Sequence, residues 1–87
     1  MKINEFYEHA DWALFKLANE KMKFALALNY VEPSVQRTLE RAFDFDWVQL
    51  IDIACLPQAG GHVCKIYKLT SAGISRHQAL AAKFRKA

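Results

Sequence analysis

Six polar side chains crowd into one short stretch: Ser34, Gln36, Arg37, Thr38, Glu40 and Arg41. Val35, Leu39, Ala42 and Phe43 recur among them at helical spacing, so the six are expected on the solvent side of an amphipathic helix. Such an array suits hydrogen bonding to base edges. Gln can pair bidentately with adenine and Arg with guanine, and Glu can accept from cytosine. Ser34, near the helix start, also suits a phosphate, because free N–H groups and the helix dipole favour anions there. Further along, His62, Lys65 and Lys68 could reach phosphates or a minor groove. Glu32, Glu40, Asp44 and Asp46 accompany only Arg37 and Arg41 on this helix and its exit. A face that is not strongly basic is also what a protein-binding module would present.

Other chemistry finds little footing. His9, His62 and His77 are scattered, and no Cys or His pair has the close spacing of a zinc site, so no metal and no cofactor are expected. No nucleophile elbow, phosphate loop or catalytic carboxylate pair is present, and Asp44 and Asp46 read as a turn. The chain is not expected to be an enzyme. Cys55 and Cys64 would lie opposite each other if a hairpin closed symmetrically about residues 59–60. Cβ atoms of opposed strand residues are about 4.5–5.5 Å apart, mostly above disulfide range, so two small buried thiols are the simpler expectation.

The elements that must position these residues follow from periodicity. Residues 3–20 read as a helix with an inward stripe of Ile3, Phe6, Tyr7, Ala10, Leu14 and Leu17. Trp12 and Phe15 fall off that stripe as a second apolar patch. Residues 22–28, MKFALAL, read as a short second helix closed by Asn29, which tolerates a left-handed conformation. A third helix starts near Glu32-Pro33-Ser34, where proline suits the first turn. Residues 47–55 are apolar and β-branched, residues 56–62 hold Pro57, Gly60 and Gly61, and residues 63–69 form a second β-rich run; together they predict a β-hairpin. Thr70 or Ser71 caps a last helix over residues 71–86, with Ile74, Ala81 and Phe84 inward and Leu80 alongside.

This order resembles the winged helix-turn-helix of small bacterial or phage regulators. From Ala25 to Leu39 the register matches the helix-turn-helix pattern of those regulators without insertion. Ala25 stands at the helix crossing, Asn29 at the turn where Gly is usual, Tyr30 under the turn, and Val35 as the anchor of the second helix. Tyr67-Lys68-Leu69-Thr70-Ser71-Ala72-Gly73 is similar to the end of the wing in repressors of the multiple-antibiotic-resistance and phenolic-acid types. The resemblance covers residues 21–75. It implies one α+β domain over residues 1–87: an extra N-terminal helix (1–20), a helix-turn-helix (21–44), a two-stranded wing (47–69) and a C-terminal helix (71–86). It also implies sequence-specific binding of double-stranded DNA by a small transcriptional regulator. Because winged helices also bind proteins, an adaptor or an inhibitor of a nucleic-acid enzyme is the alternative.

Composition sets the outer limits. With 87 residues, 53% hydrophobic and 24% charged, the chain suits one small globular domain. No apolar run approaches the length of a membrane helix, and the acidic N-terminal stretch is unlike a secretory signal, so a cytoplasmic protein with no membrane partner is expected. The formal charge is +3, but it is unevenly spread. The first 20 residues hold Lys2 and Lys16 against Glu5, Glu8, Asp11 and Glu20, whereas residues 61–87 hold Lys65, Lys68, Arg76, Lys83, Arg85 and Lys86 and no acid. A purely basic end suggests a polyanionic partner. A single recognition helix reads few base pairs, so a homodimer is expected, with Trp12 and Phe15 as the contact patch on the acidic helix; the alternative is a monomer in which Trp12 or Phe15 tucks under the last helix against Leu80 or Phe84.

Overall fold

The protein, represented by a computed structural model that describes residues 2–28, 31–57 and 60–85, is an α+β domain of three helices and a three-stranded antiparallel sheet. The order is α1 (Ile3–Phe15), β1 (Lys23–Ala27), α2 (Pro33–Asp44), β2 (Val48–Cys55), β3 (Val63–Leu69) and α3 (Ser71–Phe84). The sheet runs β1-β3-β2, so the hairpin's second strand lies in the middle. Phe24, Val48, Tyr67 and Leu69 on one face of the sheet meet Trp12, Leu14, Phe15, Leu39, Ala42 and Leu80 from the helices to form the core.

The hairpin forms where the β-rich runs predict it, but the second helix does not exist. Residues 23–27 are a strand, in register Phe24↔Tyr67 and Leu26↔Lys65 with β3. Ala, Leu and Met favour helices, but a seven-residue run is too short to hold one without tertiary help. As a strand it turns Phe24 onto Tyr67, with ring centroids 5.4 Å apart, and pairs the otherwise open edge of β3. Asn29 and Tyr30, the expected turn, lie outside the described residues. The helix-turn-helix over residues 21–44 is therefore replaced by a strand followed by one helix.

The first helix is shorter than expected and is rolled so that, of the expected inward stripe, Leu14 alone stays buried. Trp12 and Phe15 are buried, whereas Ile3 is 66% and Phe6 57% exposed. Two apolar faces compete for one core, and the larger rings go inside, since each buried aromatic removes about 150–250 Å² from water. Trp12 lies against α3, with its ring 5.2 Å from that of His77 and 6.4 Å from that of Phe84. Phe15 meets Trp47 edge-on at 6.0 Å. These two residues are core and cannot form an exposed dimer patch.

Two junctions fix the hairpin between α2 and α3. The end of α2 closes as a Schellman motif: Trp47 N–H donates to the Ala42 carbonyl (2.8 Å), Asp46 N–H donates to that of Phe43 (3.0 Å), and Asp46 takes φ 58°. At the other junction Thr70 is the cap, its hydroxyl oxygen accepting from Gly73 N–H at 3.1 Å, and Thr70 N–H donates to the Trp47 carbonyl at 2.9 Å. Gly73 packs so closely that a Cβ there would lie 1.9 Å from the Trp47 carbonyl oxygen. That contact is the physical reason for glycine three residues after the cap.

Candidate nucleic-acid interface

The elements place the nine residues of the expected DNA surface in four different settings. Gln36 and Glu40, one helical turn apart on α2, share a groove of about 130 Å³ with Lys65 of β3, floored by Leu26, Leu39 and Tyr67. Burial of Tyr67 pushes its hydroxyl pKa up, so that floor stays neutral. Gln36 Nε2 donates to Glu40 Oε1 at 3.5 Å, a long contact that leaves both groups ready to exchange partners. Arg37 is exposed next to them. Gln36, Glu40 and Lys65 are thus the part of the expected set that converges, whereas Arg37 lines a groove toward α1 with Phe6, Tyr7, Ser34 and Thr38.

Ser34, Thr38 and Arg41 instead face α1. Thr38 donates its hydroxyl proton to the Ser34 carbonyl at 2.9 Å, and Ser34 and Thr38 line grooves with Ala10. Arg41 is turned inward and held by Asp11, both carboxylate oxygens of which lie 2.6 Å from its Nη2. It is a structural cation and not an exposed base-reading residue. Lys68, an odd number of residues after Lys65, sits on the other face of the sheet and lies opposite Lys23 and Gln49. His62, next to β3, is exposed on the hairpin loop.

Asp11 is the residue that the sequence reading missed. It is completely buried on α1 and binds both Arg41 of α2 and Arg76 of α3, the latter at 3.1 Å. The Arg41 guanidinium also lies 4.5 Å from the Tyr7 ring centroid, and that of Arg76 lies 5.1 Å from the Trp47 ring. Lys83 of α3 pairs with Glu8 of α1, and this hydrogen bond lowers the Glu8 pKa below the ordinary carboxylate value. The Arg85 guanidinium lies 5.3 Å from the Trp12 ring. The acidic first helix and the basic last helix therefore answer each other, and Arg76 and Lys83 are not available as part of a free basic surface. An acid adjacent to Trp12, on a helix with two apolar faces, is the signal that could have marked Asp11 as inward.

The cysteines fall out of the expected register. Cys55 pairs with Val63, and Cys64 with Ala54. A one-residue offset sends their side chains to opposite faces of the sheet. Cys55 is exposed and donates its thiol to the Gly61 carbonyl; Cys64 is buried. Among the described residues, no group of three or more His, Cys, Asp or Glu side chains is placed to hold a metal ion, and no helix is long and apolar enough to cross a membrane.

One more surface was not anticipated. β2 is an edge strand whose Leu50, Ile51 and Ile53 are exposed, with Phe43 and Phe45 exposed at the end of α2. A register shift between Leu50 and Asp52 makes Ile51 the extra residue of a bulge, which bends the edge locally. Compared with protein-family models, with curated proteins and with solved structures, the chain matches none.

Proposed function

We propose that the chain is a reduced winged-helix module that binds double-stranded DNA in a sequence-dependent way and serves as a small transcriptional regulator. The observation that carries this reading is the convergence of Gln36 and Glu40 with Lys65 in one groove, with Arg37 exposed on the adjoining face of α2. Two side chains able to read bases, one turn apart on α2, share a groove with a cation on β3 that suits a phosphate. The hairpin beside α2 and the Leu69-Thr70 junction leading through Gly73 into α3 support the winged-helix resemblance in its C-terminal half. Arg41 drops out of the contact set, and Lys68, on the far face of the sheet, does not share the surface of α2.

The test is duplex binding by four single variants. Gln36→Ala and Arg37→Ala should each weaken the preferred sequence by roughly 1–3 kcal/mol and relax preference at one position. Lys65→Ala should weaken all sequences alike, and Lys68→Ala should change nothing. Equal losses for Lys65 and Lys68, or none in any variant, would contradict this surface.

A second reading is favoured by the edge of the sheet. Leu50, Ile51 and Ile53 on β2 offer apolar side chains beside unpaired backbone groups. This arrangement suits an added strand from a protein partner. In that case the partner's affinity would fall with Ile53→Lys and respond weakly to salt.

A further inference from the structure

The clamp on Asp11 carries one positive charge too many. The guanidiniums of Arg41 and Arg76 share this single carboxylate, and Asp11 engages only Nη2 of each. Nη1 of Arg41 and of Arg76 therefore has no partner among the described residues and, unlike the two Nε atoms, is not buried. Both arginines line one cleft of about 250 Å³, together with Asn4, Tyr7, Phe45 and Trp47. Glu8 borders it too, but its carboxylate is held by Lys83, so the excess charge remains. The rest of the wall is aromatic. Phe45 lies nearly flat on Trp47, with ring centroids 4.8 Å apart and planes 16° apart. Phe45 is still 60% exposed, so its second face is open to solvent. The Arg41 and Arg76 guanidiniums lie 5.8 and 5.1 Å from the Trp47 ring centroid, which places unused cationic donors and an open flat ring around the same cleft.

We propose that this cleft binds one nucleotide unit, with the base stacked on Phe45 beside the Asn4 amide and the phosphate held by the free Nη1 groups of Arg41 and Arg76. A phosphate suits two guanidinium edges better than a carboxylate does, because its oxygens are more numerous and spread in three dimensions. Stacking accepts any base, since every base has a flat π-face. At about 250 Å³ the cleft is smaller than the usual drug-sized pocket, which limits it to a single nucleotide. Asp11 fixes both arginines before the ligand arrives, so little side-chain freedom is lost on binding. The cleft shares none of Gln36, Glu40 and Lys65 with the groove assigned to duplex DNA, so either site can fail while the other holds.

Titration of the full chain with adenosine monophosphate at millimolar concentration, followed by nuclear magnetic resonance, should move the indole N–H signal of Trp47 and the Nε–H signals of Arg41 and Arg76. Adenosine and inorganic phosphate, each keeping only part of the contacts, should bind at least about tenfold more weakly. Phe45→Leu keeps an apolar side chain but removes the flat face, and should weaken binding about tenfold. Phe6→Leu, at an exposed ring outside the cleft, should leave binding unchanged. Arg76→Lys keeps a cation for Asp11 without a second free edge; it should weaken binding of the monophosphate and leave that of adenosine as it was. Tighter binding of a single-stranded oligoadenylate assigns the site to a nucleic-acid strand, and no gain assigns it to the free nucleotide. Unmoved Trp47 and arginine signals would overturn the proposal. So would inorganic phosphate binding as well as the monophosphate, or a Phe45→Leu variant with wild-type circular dichroism that binds as the wild type does.

Discussion

Replacing Asp11 with Asn would leave two guanidiniums facing a neutral amide at a site that water does not reach. Each arginine side chain keeps about a quarter of its surface in solvent, so the loss should be below that for a fully enclosed pair. We expect roughly 2–3 kcal/mol, seen as a fall in Tm of about 10–20 °C. An unchanged Tm would mean that the three helices do not depend on this clamp. His77 gives a second prediction at the same scale. Burial first, and the charge of Arg85 second, lower its pKa from 6.5, and no hydrogen-bond partner for its Nδ1 appears among the described residues. The unfolded chain therefore binds the proton more readily than the folded one. The stability that neutral His77 allows is present above the ordinary histidine range and is lost as pH falls through it. Urea midpoints should drop as pH is lowered from 7 toward 5, and His77→Gln should flatten that drop. Further acidification should bring a second loss as the Glu8–Lys83 pair is protonated, because the folded-state pKa of Glu8 is depressed.

Among the elements, the strand-to-helix junction is the least tolerant. Gly73→Ala would drive a methyl group into the Trp47 carbonyl and must displace the start of α3 or the hydrogen bond from Thr70 to Trp47. Overpacking against backbone of this kind should cost about 3 kcal/mol, measurable by thermal unfolding, whereas Ala72→Ser at an exposed position should change Tm little. This junction was legible in the sequence, because turn and cap residues act locally: Thr70 followed three positions later by glycine states its own geometry. The hairpin was legible for a similar reason, since the switch to β-branched residues after Asp46 and the Gly60-Gly61 pair need no distant partner to be read. Residues 23–27 were not legible. Their composition favours a helix, and only β3, some forty residues away, makes a strand the better solution. The orientation of α1 failed for a related reason. Both of its faces are apolar, and the choice depends on partners far along the chain: His77 and Phe84 for Trp12, Trp47 for Phe15, and Arg41 and Arg76 for Asp11. Of the site, Gln36, Glu40 and Lys65 were legible as a group, whereas the turn of Arg37 toward α1 was not. The removal of Arg41 was not, because it depends on a carboxylate thirty residues earlier.

For the whole molecule, the uneven charge along the chain becomes internal pairing once it folds. Arg76 and Lys83 are held by acids of α1. The cations left near the exposed face of α2 are Arg37 and Lys65, so about two phosphate contacts per chain are expected. Duplex binding should then weaken with salt at a slope near −2 per chain in log–log form, and about twice that for a dimer. Selection of bound sites from random duplex DNA tests the central claim most directly. The account predicts enrichment of a short motif and its loss in the Gln36→Ala and Arg37→Ala variants. Recovery of no motif, with no retention of duplex even at low salt, would contradict it.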